Sequence, residues 1–266
     1  MQASSDLATP RLQSVPNFRD VGGHQTRDGR RVRTGLLYRS VVLDTATVAD
    51  LEVLTGLGIR TVFDLRTAVE QERRPDQVPP GATHVSLDLL TDSGEVDPTE
   101  YFELMQDPPR ASVELADGGT ERFYLATYRD IVRLPSARAG YGRFYRTLAD
   151  ADARAALVHC TTGKDRTGWA VASLLLWLGV GPDAVMRDYL VSDGEIRRAH
   201  QAVFDDFVAR GGSRDVIEPM MSVKPSYLDE AIEAMFADYG SIGGYVSEGL
   251  GLEQDVQDAL RRAFLE

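Results

Sequence analysis

The sequence predicts an α/β fold, a sheet with helices on its faces. Apolar residues Val48, Leu51, Leu54 and Leu57 recur at helical spacing. Two runs rich in branched, apolar residues, Ile59 to Leu65 and Ala155 to His159, read as buried strands. Helical and strand patterns alternate along the chain, as they do when helices cover a sheet.

The elements follow in order. Residues 1–14 read as a loose arm; Gly22-Gly23 and Asp28-Gly29 mark turns, and Gly35 to Arg39 is a short strand. A helix starts at Thr47 and stops at Gly58, the strand Ile59–Leu65 follows, and Thr83–Leu87 is another short strand. Residues 88–121 break the rhythm with ten acids against one base, Arg110. So long an irregular, charged stretch is expected to form a mobile cover, with Ser192–Val223 as a second candidate flap. Helices resume over Glu121–Arg133 and Ala137–Ala149. Beyond residue 166 the pattern is mostly helical. Ser226 and Asp229 suggest a capping box opening a helix whose apolar face is Leu228, Ile232, Met235 and Phe236. Gly240 closes that helix, and a last one spans Leu252 to Phe264.

Composition narrows the function. The chain has 266 residues, 43% hydrophobic and 26% charged, enough for a sizeable core. A net charge of −12 argues against a general nucleic-acid binder. Cys160 is the one cysteine, which forbids an intrachain disulfide and a multi-cysteine metal centre. His24, His84, His159 and His200 show no metal-ligand spacing, so neither a metal nor another cofactor is expected. The first sixteen residues lack the basic-then-apolar order of a secretory signal, and the apolar stretch Trp169–Val180 is too short to cross a bilayer. The expectation is a protein without an integral membrane segment, cytoplasmic or exported without a cleaved signal. Its oligomeric state is not readable from the sequence.

The chemistry concentrates in His159-Cys160-Thr161-Thr162-Gly163-Lys164-Asp165-Arg166-Thr167-Gly168. An apolar strand leads in and an apolar helix leads out, so loop N–H groups and the helix N-terminus converge as an anion pocket. Such a pocket lowers the pKa of the Cys160 thiol and favours thiolate. Arg166 returns to the mouth of the loop, where its planar fork grips two phosphate oxygens. Gly163 allows the loop to bend. Thr167 can offer its hydroxyl to the departing thiolate, and His159 orients and tunes Cys160. The bland alternative is an inert buried cysteine at a strand end. Lys164 stands out because 27 of the 29 basic residues are arginine.

This segment resembles the signature loop of the cysteine-dependent protein tyrosine and dual-specificity phosphatases, His-Cys-x5-Arg-Ser/Thr. It is similar in particular to a bacterial branch known from mycobacteria. That branch shares Asn17 to Gly23 (Asn-Phe-Arg-Asp-x-Gly-Gly), Gly35 with Tyr38-Arg39-Ser40, Asp64-Leu65-Arg66, and the stretch from Tyr239 to Tyr245. The resemblance runs from about residue 14 to 252. It implies one phosphatase domain over 15–266, with a central, mainly parallel sheet flanked by helices and helical lid insertions. It also implies hydrolysis of phosphotyrosine, with phosphoserine/threonine and phosphoinositides as further substrates, and no metal cofactor.

The expected reaction has Cys160 attack phosphorus while Arg166 and the amides of Thr161, Thr162, Gly163 and Lys164 bind the equatorial oxygens. The general acid is Asp165, or else Asp88 or Asp92 from a separate loop. Lys164 either extends the pocket toward multiply phosphorylated headgroups or neutralises Asp165. Arg19, Arg39 and Arg66 sit in loops or strands able to approach the site, although surface salt bridging is the simpler role for each. A rhodanese-like sulfurtransferase and a catalytically silent phospho-binding module remain alternatives. A nucleotide-binding loop is excluded, because Asp follows Gly163-Lys164 and Val occupies position 158.

Overall fold

The computed structural model describes residues 10–93 and 103–266. Its sheet has five strands in the order β1-β2-β5-β3-β4. These are β1 (Arg19–Asp20), β2 (Leu37–Ser40), β3 (Thr61–Asp64), β4 (Thr83–Ser86) and β5 (Ala156–His159). The strands β2, β5, β3 and β4 run parallel, and the two-residue β1 lies antiparallel along the edge. Ser40 and Asp64 both stand level with His159. Three strands therefore end together, where a ligand-binding loop is expected in a parallel sheet.

Alternation along the strands separates two apolar layers. Tyr38, Val62 and Leu157 pack with Leu54 of α1 (Val48–Gly56) on one face. On the other, Leu37, Phe63 and Val158 join the larger core. That core is built with α4 (Gly119–Arg133), α5 (Pro135–Ala149), α6 (Arg166–Trp177), α7 (Pro182–Ala209) and α9 (Pro225–Tyr239). Further helices among the described residues include α2 (Ala68–Arg73), α3 (Pro108–Glu114), α8 (Arg214–Met221), α10 (Ile242–Gly244), which continues into a π turn, and α11 (Gln254–Phe264). The α/β architecture read from the sequence is the architecture found.

Four details differ from the sequence reading. The described part of 88–121 is not simply irregular: Asp107 caps α3, whose Ala111 is buried in a small separate core with Phe204, Phe207 and Met221. The acids Glu95, Asp97 and Glu100 lie outside the described residues. Ser226 does not cap α9. Pro225 occupies the first turn and moves the start upstream, leaving Lys224 at the cap position without a side-chain bond. Phe236 is 52% exposed rather than part of that helix's apolar face. Finally, the arm is fastened at its inner end, because the Gln13 and Ser14 N–H groups donate to buried Asp50. Residues 1–9 lie outside the described set.

Candidate active site

The loop 160–165 springs from β5 between the ends of its two neighbours. The Leu65 N–H donates to His159 O (2.9 Å) and the Val42 N–H to Thr161 O (3.2 Å). At its far end α6 begins at Arg166. Gly163 has φ 65°, and a Cβ there would lie 2.1 Å from Ser40 O, so both conformation and space demand glycine. The Gly163 carbonyl is drawn back by Arg39 Nη2 (2.6 Å) and Asn17 Nδ2 (3.1 Å). Gly168 packs its bare Cα face against Tyr189, 3.0 Å from where a Cβ would stand.

Cys160 is buried, at 1% exposure, yet its surroundings are not simply apolar. Arg39, Lys164 and Arg166 all interact electrostatically with it. Arg39 is itself fully buried, where desolvation pulls its pKa down to about 10 against the support of Asp188. It pairs with Asp188 at 3.3 Å, and Arg19 meets the same carboxylate at 3.2 Å. Arg66 is buried as well, bonded to Asp64 and Asp76. The sequence reading of Arg39 and Arg66 as surface ion-pairing residues is therefore corrected. A guanidinium sealed inside the protein needs a countercharge and acceptors: Arg39 has Asp188 and the Gly163 carbonyl, with its Nε left unpartnered among the described residues, and Arg66 has Asp64 and Asp76.

Arg166 is presented by an acid that the sequence reading passed over. Glu70, in the first turn of α2, takes Arg166 Nη1 at 2.6 Å and Nη2 at 2.8 Å. The Thr161 hydroxyl also donates to Glu70. Burial works to raise the Glu70 pKa, but the Arg166 charge and these hydrogen bonds outweigh it and hold the carboxyl well below its ordinary value. The signal was present in Thr67-x-x-Glu70, a capping box directly after the strand end at Asp64-Leu65-Arg66.

The remaining loop residues divide by their contacts. One Asp165 oxygen accepts from the Tyr128 hydroxyl (2.9 Å), itself 2.6 Å from the Tyr189 hydroxyl. Among the described residues no donor is bonded to the second Asp165 oxygen. Lys164 points elsewhere: its ammonium donates to Met220 O (2.7 Å) and Ser222 O (3.1 Å) and lies 4.1 Å above the Tyr124 ring. It is 3.8 Å from Asp165. Thr162 is half-buried, and the Thr167 hydroxyl is buried with no hydrogen-bond partner among the described residues. Asp88 and Asp92 are both engaged in local structure. Asp88 accepts from the N–H groups of Ala68 and Leu90, and Asp92 from Ser136 at the start of α5.

Behind Cys160, His159 Nδ1 lies 3.1 Å from Cys160 O, and Nε2 lies 3.1 Å from Asp76 Oδ2. His84 reaches the same carboxylate at 3.2 Å, so two histidines that look scattered in the sequence share one acid. Asp64, Asp76 and His84 bring ligand-type atoms within 4.8 Å of one another. Arg66 already donates to both carboxylates, so a cation is in place there. Among the described residues no helix is long and apolar enough to cross a membrane.

Comparison with known proteins agrees with this geometry. A protein of Cupriavidus necator provisionally named a tyrosine-protein phosphatase is 35% identical over 134 residues, 50% of this chain and 47% of that one. The triple specificity protein phosphatase PtpB of Mycobacterium tuberculosis is 29% identical over 166 residues, 58% of this chain and 59% of that one. The chain thus spans about half the length of the curated relatives it matches. Residues 10–266 match the sequence profile of the tyrosine phosphatase family, a span that contains the whole Cys160–Arg166 loop and every brace around it, and the chain belongs to that family.

Proposed function

We propose that the protein hydrolyses phosphotyrosine monoesters through a phosphocysteine intermediate on Cys160. The observation that carries this reading is one loop holding Cys160 and Arg166, with Glu70 fixing the guanidinium and Arg39 and Asn17 drawing the Gly163 carbonyl away from the anion's side. Tied-back carbonyls leave the loop N–H groups to meet the equatorial phosphate oxygens. The Cys160 thiolate attacks phosphorus and the ester oxygen leaves with a proton from Asp165. Water, giving a proton back to the Asp165 carboxylate as it attacks phosphorus, then displaces the sulfur from the P–S bond, releasing inorganic phosphate and restoring the thiolate.

Asp165 suits the role of acid because Tyr128 fixes one of its oxygens and leaves the other for the leaving group. Asp88 and Asp92 are held by backbone and serine donors at helix starts, which supports Asp165 over either. Phosphoserine/threonine and phosphoinositide hydrolysis extend the proposal. The second of these asks Lys164 to leave the carbonyls of Met220 and Ser222. With Cys160 at 1% exposure, substrate access requires a cover to move, and the segment 192–223, whose Met220 and Ser222 carbonyls are tied to the loop by Lys164, is the proposed one.

The deciding experiment compares wild type, Cys160→Ser and Asp165→Asn on p-nitrophenyl phosphate, a phosphotyrosine peptide and a phosphoinositide panel, with chelator present. Cys160→Ser should abolish turnover on every substrate. Asp165→Asn should lose more activity on the peptide, whose phenol is a poor leaving group, than on p-nitrophenyl phosphate. A fully active Cys160→Ser protein would overturn the proposal. Undiminished peptide turnover in Asp165→Asn would move the acid to another residue.

A further inference from the structure

We propose that Asp76 is a positioning residue for the nucleophile, one buried carboxylate that braces the backbone on both sides of Cys160 and reaches solvent through His84. The inference rests on Cys160 being the nucleophile of the proposed reaction. Asp76 lies in the loop after α2, with its side chain 1% exposed. Its Oδ1 accepts from the Leu43 N–H at 2.9 Å. Its Oδ2 meets Arg66 Nη2 at 3.0 Å, His159 Nε2 at 3.1 Å and His84 Nε2 at 3.2 Å.

Two paths run from this carboxylate to the loop. Through the His159 ring, whose Nε2 it meets as a charge contact at 3.1 Å rather than an aligned hydrogen bond, it reaches the Cys160 carbonyl, 3.1 Å from Nδ1. Through Leu43 it fixes the segment that follows β2, where the next residue back, Val42, donates its N–H to the Thr161 carbonyl. The carbonyls of Cys160 and Thr161 are thereby tethered from two directions. Holding these two carbonyls fixes how the backbone at the nucleophile is turned, and backbone N–H groups turned toward an anion stabilise it.

Arg66 alone does not explain the acid. Asp64 already receives Arg66 Nε at 2.9 Å and Nη2 at 2.7 Å, so the guanidinium is paired without Asp76. Asp64, Arg66, His84 and His159 surround Asp76. Arg39 from β2, Tyr141 from α5, and Lys164 and Arg166 from the loop and α6 act on Cys160. None of the latter group touches Asp76, so its effect on the sulfur must pass through His159 and the backbone.

The test is the pH dependence of Cys160 alkylation by iodoacetamide in the full chain, read beside kcat and KM on p-nitrophenyl phosphate. Asp76→Asn should raise the midpoint of the alkylation profile and lower kcat roughly tenfold, with KM changed less than about twofold. A folded Asp76→Asn protein with the wild-type midpoint would overturn the proposal. If Asp76→Asn shows no cooperative unfolding, His84→Ala at the 33%-exposed end replaces it. A smaller shift in the same direction is then expected, and an unshifted midpoint overturns the proposal. The alkylation readout needs no turnover. A wild-type chain that is alkylated normally but hydrolyses no phosphate ester would therefore refute the phosphatase reading itself, whereas an active wild type with an unshifted Asp76→Asn midpoint would refute only the role of Asp76.

Discussion

Glu70 and Arg166 face each other as two planar groups, joined by hydrogen bonds of 2.6 and 2.8 Å, although 96 residues separate them. A lysine in place of Arg166 could not accept this geometry, and a glutamine in place of Glu70 could not return it, since an amide offers one acceptor where two are needed. Glu70→Gln should therefore lower kcat/KM on p-nitrophenyl phosphate about tenfold or more. The pair also couples stability to pH. The Glu70 carboxyl is held below its ordinary value of 4.5, so it stabilises the fold above that pH and loses the contribution as pH falls toward the lowered one. Urea midpoints of wild type and Glu70→Gln should differ at pH 7 and converge progressively below about 4.5. A gap that is constant with pH would mean that the pairing does not perturb Glu70.

What the sequence could disclose here follows from range. Strands β3 and β5 are legible because Val62, Phe63, Leu157 and Val158 are all buried and a sheet interior needs such residues. The loop is legible because its demands are local: Cys160, Gly163 and Arg166 must lie within one turn of backbone. Glu70, Asn17, Asp76 and the buried state of Arg39 are not legible in the same way. Each acts by meeting a residue more than eighty positions away in chain order, and only strand order decides which ends meet. Lys164 shows a different limit. Its place in the loop suggests a phosphate contact or a pairing with Asp165, and the sequence does not disclose that a four-carbon stem also lets its ammonium reach the backbone carbonyls of Met220 and Ser222 at the end of α8, 3.8 Å from Asp165.

That placement makes Lys164 a tie between the phosphate loop and the corner joining α8 to α9. Removing the ammonium leaves the Met220 and Ser222 carbonyls without a buried donor. In Lys164→Ala, amide hydrogen exchange over Arg214–Met221 should quicken while the central strands keep their protection. Phosphoinositide hydrolysis should fall further than phosphotyrosine hydrolysis, because the second phosphate of a headgroup would lose its cation. Equal losses on the two substrates would leave Lys164 as a tie alone.

His84 offers a titration in the opposite sense to Glu70. Hydrogen bonds to Asp64 and then Asp76 raise its pKa to about 9, against the downward pull of partial burial. A base whose folded pKa is raised stabilises the fold fully below its ordinary value, here 6.5, and the contribution is lost as pH rises through about 9. Wild type and His84→Gln should therefore differ most in urea midpoint near pH 6 and approach each other by about pH 10. Arg66 stays charged over this whole range, so the buried acids keep one cation throughout and the wild-type protein should lose midpoint gradually rather than unfold. A difference that widens with rising pH would show that the two carboxylates do not hold the imidazole in its charged form.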